Sequence, residues 1–230
     1  MIKNRLRKII HKRYRVSFSK SGEDLQVYKL LRGSKGMYLD IGCFEPITFS
    51  NTYFFYLRNW SGLVVDPNPR LKEMFQKVRP KDIFINKGIS SSAGVLKYYQ
   101  LPRKLSSMNT FNYEFLEKNG LVNQIENEIE IPLTTICQLS EEFDLSNKID
   151  FMDVDVEGLD LEVLSSNNWE RLRPKIVMVE TDSSIETDIV GDIYNFLKER
   201  DYFLISKMVQ SSSGAGNLIF MRNESKKDLI

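Results

Sequence analysis

Two stretches decide the fold of this chain, Tyr38-Leu39-Asp40-Ile41-Gly42-Cys43 and Leu63-Val64-Val65-Asp66-Pro67-Asn68-Pro69. Each is a short apolar run that carries an acid at its end and then residues that must turn, which is typical of the first two parallel strands of a nucleotide-binding α/β sheet. An acid after the second strand can accept two hydrogen bonds from the vicinal hydroxyls of a ribose, and it repels a 2′-phosphate. The two stretches therefore indicate a cofactor that contains adenosine.

The rest of the chain alternates between strand and helix patterns. Residues 101–124 show no strong period and are expected to form an irregular lid or substrate loop. The predicted fold class is α/β: a doubly wound, mostly parallel, seven-stranded Rossmann-like sheet with an antiparallel C-terminal hairpin strand. Helices are predicted at residues 51–57, after Pro69, after Thr135 and at 193–197, and further strands at 83–85, 94–99, 129–133, 149–155, 175–180, 202–205 and 217–221.

Polar residues recur at the predicted strand ends. Ligands of such sheets bind beyond the carboxyl ends of the strands, and burying an unpaired polar group there costs about 2–7 kcal/mol. The repeated placement favours a functional role for the set, although any single acid could instead cap a helix. The set comprises Asp40 and Gly42, Asp66 and Asn68, Asn86, then Asp153, Asp155 and Glu157, then Glu180 and Asp182.

The turn after the first predicted strand is not rich in glycine. Gly42 is followed by Cys43-Phe44-Glu45-Pro46, so the GxGxxG pattern that binds a pyrophosphate is missing, and Glu45 would repel one. The chain has no Walker A pattern for a nucleoside triphosphate. Its single histidine, His11, disfavours a histidine base, a Ser-His-Asp triad and a zinc site with histidine ligands. S-adenosylmethionine fits better, because it has no phosphate and its cationic groups favour carboxylates.

Charge is unevenly distributed along the chain. The net charge is +1 over 230 residues, but residues 1–20 contain eight bases and no acid. Apolar residues at helical spacing there predict a short basic amphipathic arm at residues 1–18. Two interpretations stay open: residues 1–16 contact an anionic membrane or an acidic partner, or the first helix is solvated or packed on the domain. The arm is too short and too charged to span a bilayer, and its apolar part is too broken for a secretory signal peptide.

The remaining composition predicts the organisation and location of the protein. Residues 19–222 are expected to form one domain, followed by a flexible polar tail at 223–230. Cys43 and Cys137 have neither a CxxC nor a Cys/His neighbourhood, so reduced thiols in a cytoplasmic protein are expected. A peripheral position at the inner face of the membrane is compatible with the basic arm. The mildly acidic body and the lack of a recognised motif argue against nucleic acid as a partner.

The chain resembles the FkbM-type class I methyltransferases over residues 19–221. Of the motifs that carry the resemblance, the one that begins at Asp155 is the most specific. The chain departs from the family pattern at Cys43-Phe44-Glu45-Pro46, where small residues and another glycine are more common, and at Asp153, where many members have Lys or Ser. The motifs, in the order of the family, are Gly22-Glu23-Asp24, Tyr38-Leu39-Asp40-Ile41-Gly42, Ser50-Asn51-Thr52, Val65-Asp66-Pro67-Asn68-Pro69 and Asp155-Val156-Glu157-Gly158-Leu159-Asp160.

The resemblance implies the class I methyltransferase fold for the domain at 19–222, and transfer of a methyl group from S-adenosylmethionine to an oxygen. The acceptor would be a small molecule or a glycan, such as a hydroxyl of a sugar, a lipid-linked saccharide or a related metabolite. Asp40 and Gly42 would lie along the methionine portion and Asp66 at the ribose, and residues 86–88 would pass near the adenine. The full set expected to bind the cofactor is Asp40, Gly42, Cys43, Asp66, Asn68, Asn86, Lys87, Gly88 and Asp153.

Methyl transfer to a hydroxyl needs in-line placement and a proton acceptor. Because histidine is disfavoured by composition, the base is expected to be a carboxylate, or water after the transfer. The candidates are Asp153, Asp155, Glu157 and Glu180, since clustered carboxylates raise one another's pKa. The resemblance implies that Asp155 and Glu157 lie at the methyl-transfer end, although Glu157 could instead cap the helix beside Gly158. Three clustered carboxylates could also bind Mg²⁺, but no metal site is predicted.

A second class of function stays open from the sequence. The chain could be a catalytically idle Rossmann-like module that docks to a membrane or a complex through its basic arm. A nucleotide-sugar or NAD enzyme is disfavoured by the missing glycine pattern. Binding of S-adenosylmethionine separates the first two hypotheses, because an enzyme of this class must bind it.

Overall fold

The structure is a computed structural model that describes residues 16–33 and 35–229. Strands and helices alternate along this part of the chain. The strands are β1 (Met37–Ile41), β2 (Ser61–Val65), β3 (Ile83–Ile85), β4 (Gly88–Ile89), β5 (Gly94–Gln100), β6 (Asn127–Thr134), β7 (Ile149–Val154), β8 (Ile176–Thr181), β9 (Tyr202–Val209) and β10 (Gly216–Arg222). The α-helices are α1 (Glu23–Leu30), α2 (Tyr53–Tyr56), α3 (Leu71–Val78), α4 (Tyr113–Lys118), α5 (Ile136–Glu142), α6 (Asp160–Ser165), α7 (Ile185–Asp188) and α8 (Asp192–Lys198).

Seven of the strands form one sheet in the order β3-β2-β1-β7-β8-β10-β9. β1 pairs in parallel with β2 and with β7, whereas β10 runs antiparallel to both β8 and β9. The predicted fold class, a doubly wound and mostly parallel seven-stranded sheet with an antiparallel C-terminal hairpin strand, is confirmed. The direction of winding reverses at β1, so the carboxyl ends of β1, β2 and β7 lie side by side, at the position where sheets of this kind bind ligands.

Helices cover both faces of this sheet, which explains why its strands are almost continuously apolar. Adjacent strand residues pack on opposite faces because side chains alternate along a strand. Leu39 of β1 belongs to an apolar cluster that includes residues of α5, α6 and α8. Its neighbour Tyr38 belongs to a second cluster that includes residues of α1, α2 and α3. The two clusters thus pack on opposite faces of the sheet beside the carboxyl ends of its strands.

Three strands that follow β3 in the sequence form a second, small sheet in the order β4-β6-β5. The strand patterns of β5 and β6 were predicted, but their pairing with each other and with the two-residue β4 was not. Residues 101–124 were predicted to be irregular, and they instead contain two 3-10 helices, Arg103–Met108 and Val122–Gln124, and α4 between them. Leu101, Leu116 and Leu121 form a separate apolar cluster under this segment. The segment is therefore a packed insertion between β5 and β6.

Local sequence accounts well for several helix ends. The predicted cap Thr135 accepts a hydrogen bond at its hydroxyl from the N–H of Gln138 at 3.0 Å, and the two residues form a capping box at the start of α5. The helix predicted at 51–57 is shorter than expected, because Thr52 is engaged with Asp40 and the helix begins at Tyr53. α3 begins at Leu71, two residues after Pro69.

Both ends of the described chain make contacts with the domain. Ser17 and Phe18 donate hydrogen bonds to the carboxylate of Asp24 in α1, both at 2.7 Å, so these residues of the expected arm are attached to the domain. The predicted helix nearer the N-terminus lies outside the described residues. In the predicted tail a 3-10 helix spans Asn223–Leu229, and the Arg173 guanidinium donates a hydrogen bond to Glu224 of this helix at 2.9 Å. No helix in the described segments is long and apolar enough to cross a membrane.

Candidate active site

A cavity of about 280 Å³ lies at the carboxyl ends of β1, β2 and β7, and the insertion between β5 and β6 forms its opposite wall. It brings together most of the residues that the sequence placed at a ligand site. The predicted residues that line it are Asp40, Gly42, Cys43, Asp66, Asn68, Lys87, Gly88, Asp153, Asp155 and Glu157. Asn86 and Glu180, which were also predicted, do not line it.

Asp40 occupies the floor of the cavity at the end of β1. Its carboxylate accepts a hydrogen bond from the Thr52 hydroxyl. Burial raises the pKa of Asp40 to about 6, and the nearby Arg79 guanidinium opposes this by favouring the ionised form. Arg79 also donates to the Thr52 hydroxyl at 2.9 Å, so the cation and the hydroxyl that stabilise Asp40 are held together.

Gly42 allows β1 and β7 to approach each other at the mouth of the sheet. It has a left-handed conformation, with φ +81°, and its N–H donates to the Val65 carbonyl at 2.9 Å. A Cβ atom at this position would lie 1.7 Å from the carbonyl oxygen of Asp155, so no larger residue fits without moving the backbone. The neighbouring Cys43 is buried, and burial raises the pKa of its thiol well above the usual value. The Cys43 thiol is therefore neutral and suited to packing against a ligand rather than to nucleophilic attack.

Asp66 and Asn68 shape the turn after β2. One carboxylate oxygen of Asp66 accepts the N–H of Asn68 at 2.8 Å and the other accepts the N–H of Phe44 at 3.1 Å. Burial raises the pKa of Asp66 to about 6, and these two backbone donors oppose the rise. Asn86 supports the same turn from behind, since its amide donates to the carbonyls of Asp66 and Pro67 at 3.0 and 2.9 Å. Asn86 thus supports the turn without lining the cavity, and its expected position near the adenine stays a prediction.

Lys87 and Gly88 line the part of the cavity next to the small sheet. The Tyr98 and Phe111 rings pack there with their centroids 4.9 Å apart, and both residues line the cavity. A Cβ atom on Gly88 would lie 2.6 Å from the Phe111 ring, so glycine is needed for this close approach. The Lys87 ammonium lies 3.6 Å from the Glu142 carboxylate. Gly88 and the two aromatic rings, whose planes are tilted by 50°, form a mostly apolar wall of the cavity.

Asp153, at the end of β7, has one partnered and one unpartnered oxygen. Its Oδ2 accepts a hydrogen bond from the Asn51 amide at 2.9 Å, whereas its Oδ1 has no partner among the described residues. The residue is only 3% exposed and lines the cavity. Burial raises the pKa of Asp153 well above its usual value, and the negative charge of Asp40 raises it further. A buried oxygen without a partner is costly, so this position favours a ligand group that donates a hydrogen bond or carries a positive charge.

Asp155, Glu157 and Glu180 form a carboxyl cluster beside Asp153, in which one oxygen of each lies within 4.8 Å of the others. Burial is the main cause that raises the pKa of Asp155 to about 7, of Glu157 to about 8 and of Glu180 to about 9. The negative charges of their neighbours in the cluster raise the pKa of Glu157 and of Glu180 further. Such carboxyl groups exchange protons near neutral pH, which suits acid–base chemistry. The arrangement alone does not indicate a metal ion.

Glu180 and Glu157 differ in their access to the cavity. Glu157 lines it, with a left-handed backbone conformation of φ +55°. Glu180 lies behind it and, with Asp182, lines a neighbouring cleft. The Lys20 ammonium, which lies in the segment before α1, is 4.0 Å from the Glu180 carboxylate and also lines the main cavity. Of the carboxyl cluster, a ligand in the cavity can therefore reach Asp155 and Glu157 but not Glu180.

Several residues of the cavity were not singled out from the sequence as site residues. They come from the segment before α1, from the loop after β1, from β5 and from the insertion between β5 and β6. Of these residues only Ser50 and Asn51 carried a sequence signal, as part of a family motif. The polar residues of the insertion could not be distinguished because the insertion has no regular period. The missed residues are Lys20, Phe44, Phe49, Ser50, Asn51, Tyr98, Arg103, Lys104, Ser106, Ser107, Asn109, Thr110 and Phe111.

The doubly wound sheet has the class I methyltransferase fold, and the acidic cavity lies at the carboxyl ends of its strands. The model of the family described as the methyltransferase FkbM domain matches residues 40–204. Because the match covers more than half of the chain, the chain belongs to the FkbM methyltransferase family. No protein among curated sequences matches it.

Solved structures of methyltransferases are distantly similar to the chain. A methyltransferase FkbM from Methylobacillus flagellatus KT has 12% identity and a TM-score of 0.48 over 82% of this chain and 43% of its own. The chain therefore spans less than half the length of that protein. A 1,6-didemethyltoxoflavin-N1-methyltransferase of Burkholderia thailandensis, with bound 1,6-didemethyltoxoflavin and S-adenosylhomocysteine, has 9% identity and a TM-score of 0.47 over 87% of this chain and 76% of its own.

A third similar structure is a precorrin-6y C5,15-methyltransferase of Geobacter metallireducens GS-15. It has 11% identity and a TM-score of 0.40 over 86% of this chain and 87% of its own. The assignment to the FkbM family rests on the family match.

Proposed function

We propose that the chain binds S-adenosylmethionine and transfers its methyl group to a hydroxyl oxygen of a sugar or glycan, a lipid-linked saccharide or a related metabolite. Membership of the FkbM methyltransferase family supports methyl transfer. The observation that carries the choice of cofactor is the unpartnered Oδ1 of Asp153, which is buried at the cavity beside Asp40. This buried acidic pair favours a cationic ligand, and the amino-acid end of S-adenosylmethionine is cationic at its ammonium group.

The other residues of the cavity fit the remaining parts of this cofactor. Asp40, Gly42 and Cys43 would hold the methionine portion with Asp153. Asp66 and Asn68, on the turn after β2, would hold the ribose hydroxyls through the remaining lone pairs of the carboxylate. Lys87 and Gly88 would lie beside the adenine, with the Tyr98 and Phe111 rings as an apolar surface.

The carboxyl cluster supplies the acid–base part of the proposal. S-adenosylmethionine, when bound, supplies an electrophilic methyl group. Glu157 would accept the proton of the acceptor hydroxyl, because it lines the cavity and burial raises its pKa to about 8. A base in this range is strong enough to assist and is still ionised in part at neutral pH. Asp155 and Glu180 would act on Glu157 through their charge and would share protons with it.

Calorimetry with S-adenosylmethionine and S-adenosylhomocysteine tests the cofactor assignment. Both should bind the wild type, and Asp153→Asn should weaken both by about 10- to 100-fold, the value of a buried hydrogen bond to a charged group. The amide can keep the bond with Asn51 only by turning its own NH₂ toward the ligand ammonium, which is repulsive. Asp144→Asn is the matched control, since Asp144 is an exposed loop residue with φ +49°, a conformation that Asn adopts readily.

Two results would contradict the proposal. A folded wild-type protein that binds neither compound would exclude the cofactor, and it would favour a binding module without catalytic activity. Equal affinities of the wild type and Asp153→Asn would show that the Asp153 carboxylate does not contact the ligand.

A further inference from the structure

The cavity has an acidic wall and a basic edge. Lys20 and Lys87 line it, but both ammonium groups have acidic partners, Glu180 at 4.0 Å and Glu142 at 3.6 Å. Arg103 and Lys104 also line it, and neither forms an ion pair within the described part of the chain. Two adjacent cations that border a cavity without acidic partners are available to an anionic group of a ligand.

The loop that carries these cations is held at its base. The backbone N–H of Leu101 donates to the Asn109 side-chain oxygen at 2.8 Å. Tyr99 and Thr110 exchange two backbone hydrogen bonds, at 2.9 and 3.3 Å, and so close the loop. The position of the loop over the cavity therefore follows from contacts within the insertion.

The apolar residues of the same loop, which pack on the insertion, determine which of its residues line the cavity. Leu105 and Met108 pack against the apolar cluster of the insertion. The polar residues of the 3-10 helix, Arg103, Lys104, Ser106 and Ser107, line the cavity instead. The Ser106 hydroxyl donates to the Arg103 carbonyl at 2.9 Å, which stabilises the turn on which Arg103 stands. Packing of the partly buried Leu105 and Met108 against this cluster thus keeps the two cations at the cavity edge.

We propose that Arg103 and Lys104, with the Ser107 hydroxyl, bind a phosphate or diphosphate group that the methyl acceptor carries. This inference rests on the proposed function, because it assigns a chemical class to the acceptor of that site. A guanidinium presents a planar set of donors that matches two phosphate oxygens, and a neighbouring ammonium adds a point charge. A hydroxyl completes the donor set. Among the described residues that line the cavity, no other group combines two cations without acidic partners and a hydroxyl.

The competing ligand for these cations is the carboxylate of the cofactor itself. The two possibilities differ in when the cations become available. If they bind the acceptor, they stay free after S-adenosylhomocysteine fills the cofactor part of the cavity. If they bind the cofactor, they are occupied in that complex and their loss weakens cofactor binding.

The test uses the full chain saturated with S-adenosylhomocysteine and titrated with inorganic pyrophosphate at low ionic strength. We expect pyrophosphate to bind, and the double variant Arg103→Gln with Lys104→Gln to weaken its binding by at least about tenfold, since the variant loses both cations and their charge-assisted hydrogen bonds. The matched control is Lys72→Gln with Lys77→Gln, on the exposed side of α3, which changes the net charge equally. The control should alter the dissociation constant by less than about twofold.

The outcomes separate this inference from the cofactor proposal. Binding of S-adenosylhomocysteine without binding of pyrophosphate would overturn the phosphate site alone, and so would equal pyrophosphate affinity of the double variant and the wild type. A double variant that loses affinity for S-adenosylhomocysteine would assign the two cations to the cofactor. Failure of the wild type to bind S-adenosylhomocysteine would instead overturn the proposed function.

Discussion

Glu157 lies in the cavity wall between groups whose charges act in opposite directions on it. Burial raises the pKa of its carboxyl to about 8, the negative charge of Glu180 also raises it, and the Lys20 ammonium lowers it. A carboxyl group in this range changes its protonation when a nearby charge changes. A ligand cation beside Glu157 would favour the ionised form, so binding of such a ligand would release a proton.

Proton release therefore reports on the position of Glu157. At about pH 7.5 a carboxyl with a pKa of about 8 is roughly three quarters protonated. We expect S-adenosylmethionine, with its sulfonium, to release more protons on binding than S-adenosylhomocysteine, whose sulfur is neutral. Both carry the same amino-acid group, so any release from Asp153 cancels. Calorimetry in buffers of different ionisation enthalpy measures the difference.

The excess release should disappear in Glu157→Gln. It should persist in Glu117→Gln, which removes an exposed carboxylate from α4. If the wild type releases equal numbers of protons with the two compounds, Glu157 does not face the sulfonium, and the assignment of Glu157 as the base loses its support.

Arg79, the residue that follows α3, connects this helix with β1 and with the loop before α2. Its guanidinium donates to Asp82 at 2.7 Å, to the hydroxyls of Tyr38 and Thr52 at 2.9 Å and to the Ser50 hydroxyl at 3.2 Å. The side chains of Arg79 and Asp82 are 0% exposed. The loop that bounds the cavity next to Asp40 thus depends on one buried cation.

Removal of this cation should be far more costly than removal of a surface cation. Arg79→Met leaves the Asp82 carboxylate buried without a cation, and we expect the free energy of unfolding to fall by about 3–5 kcal/mol. Arg171→Met is the control, because Arg171 and Glu141 form an ion pair with 66% and 62% of their side chains exposed, which contributes less than about 1 kcal/mol. Urea unfolding measures both. Similar losses in the two variants would show that the Arg79 network does not hold the elements together.

For the molecule as a whole, the buried carboxyl groups make stability depend on pH in an unusual direction. Burial raises the pKa of Asp155 and Asp160 to about 7, of Glu157 to about 8 and of Glu180 to about 9. In the unfolded chain such groups titrate near about pH 4. Between these values the folded protein binds more protons than the unfolded chain, so these four carboxyl groups destabilise the ligand-free fold increasingly as pH rises.

Glu180→Gln should therefore stabilise the ligand-free protein in alkaline solution. The variant removes the carboxyl that titrates last, and we expect its melting temperature at about pH 8.5 to exceed that of the wild type by a few degrees, at about 2–4 °C per kcal/mol. At about pH 5.5 the difference should be smaller, because the penalty begins only above about pH 4, where Glu180 ionises in the unfolded chain, and grows as pH rises toward its folded pKa of about 9. Thermal unfolding across this range measures the difference, with the exposed Glu170→Gln as control. A variant less stable than the wild type at both pH values would contradict this account.

Much of the fold and part of the site follow from local sequence. Strands that are buried on both faces must be apolar runs, and this made the large sheet predictable. Asp40, Asp66 and Asp153 end neighbouring strands, and the carboxyl ends of parallel strands meet at one edge of the sheet. The convergence of these three acids on one cavity was therefore predictable from their positions in the sequence. The cap at Thr135 was predictable for the same reason, since capping involves residues within one turn.

The remaining features depend on contacts between residues far apart in the sequence. Arg79 precedes a proline and resembles an exposed helix end, yet it is buried because its hydroxyl partners come from β1 and the loop before α2. Long-range packing also placed Glu180 behind the cavity and brought Arg103 and Lys104 to its edge, through the pairing of β5 with β6. A local period reports which face of an element is buried, but not which distant element covers it. For this reason the strand ends and their acids could be predicted from the sequence alone. The partners of these acids and the opposite wall of the cavity were decided by the tertiary structure.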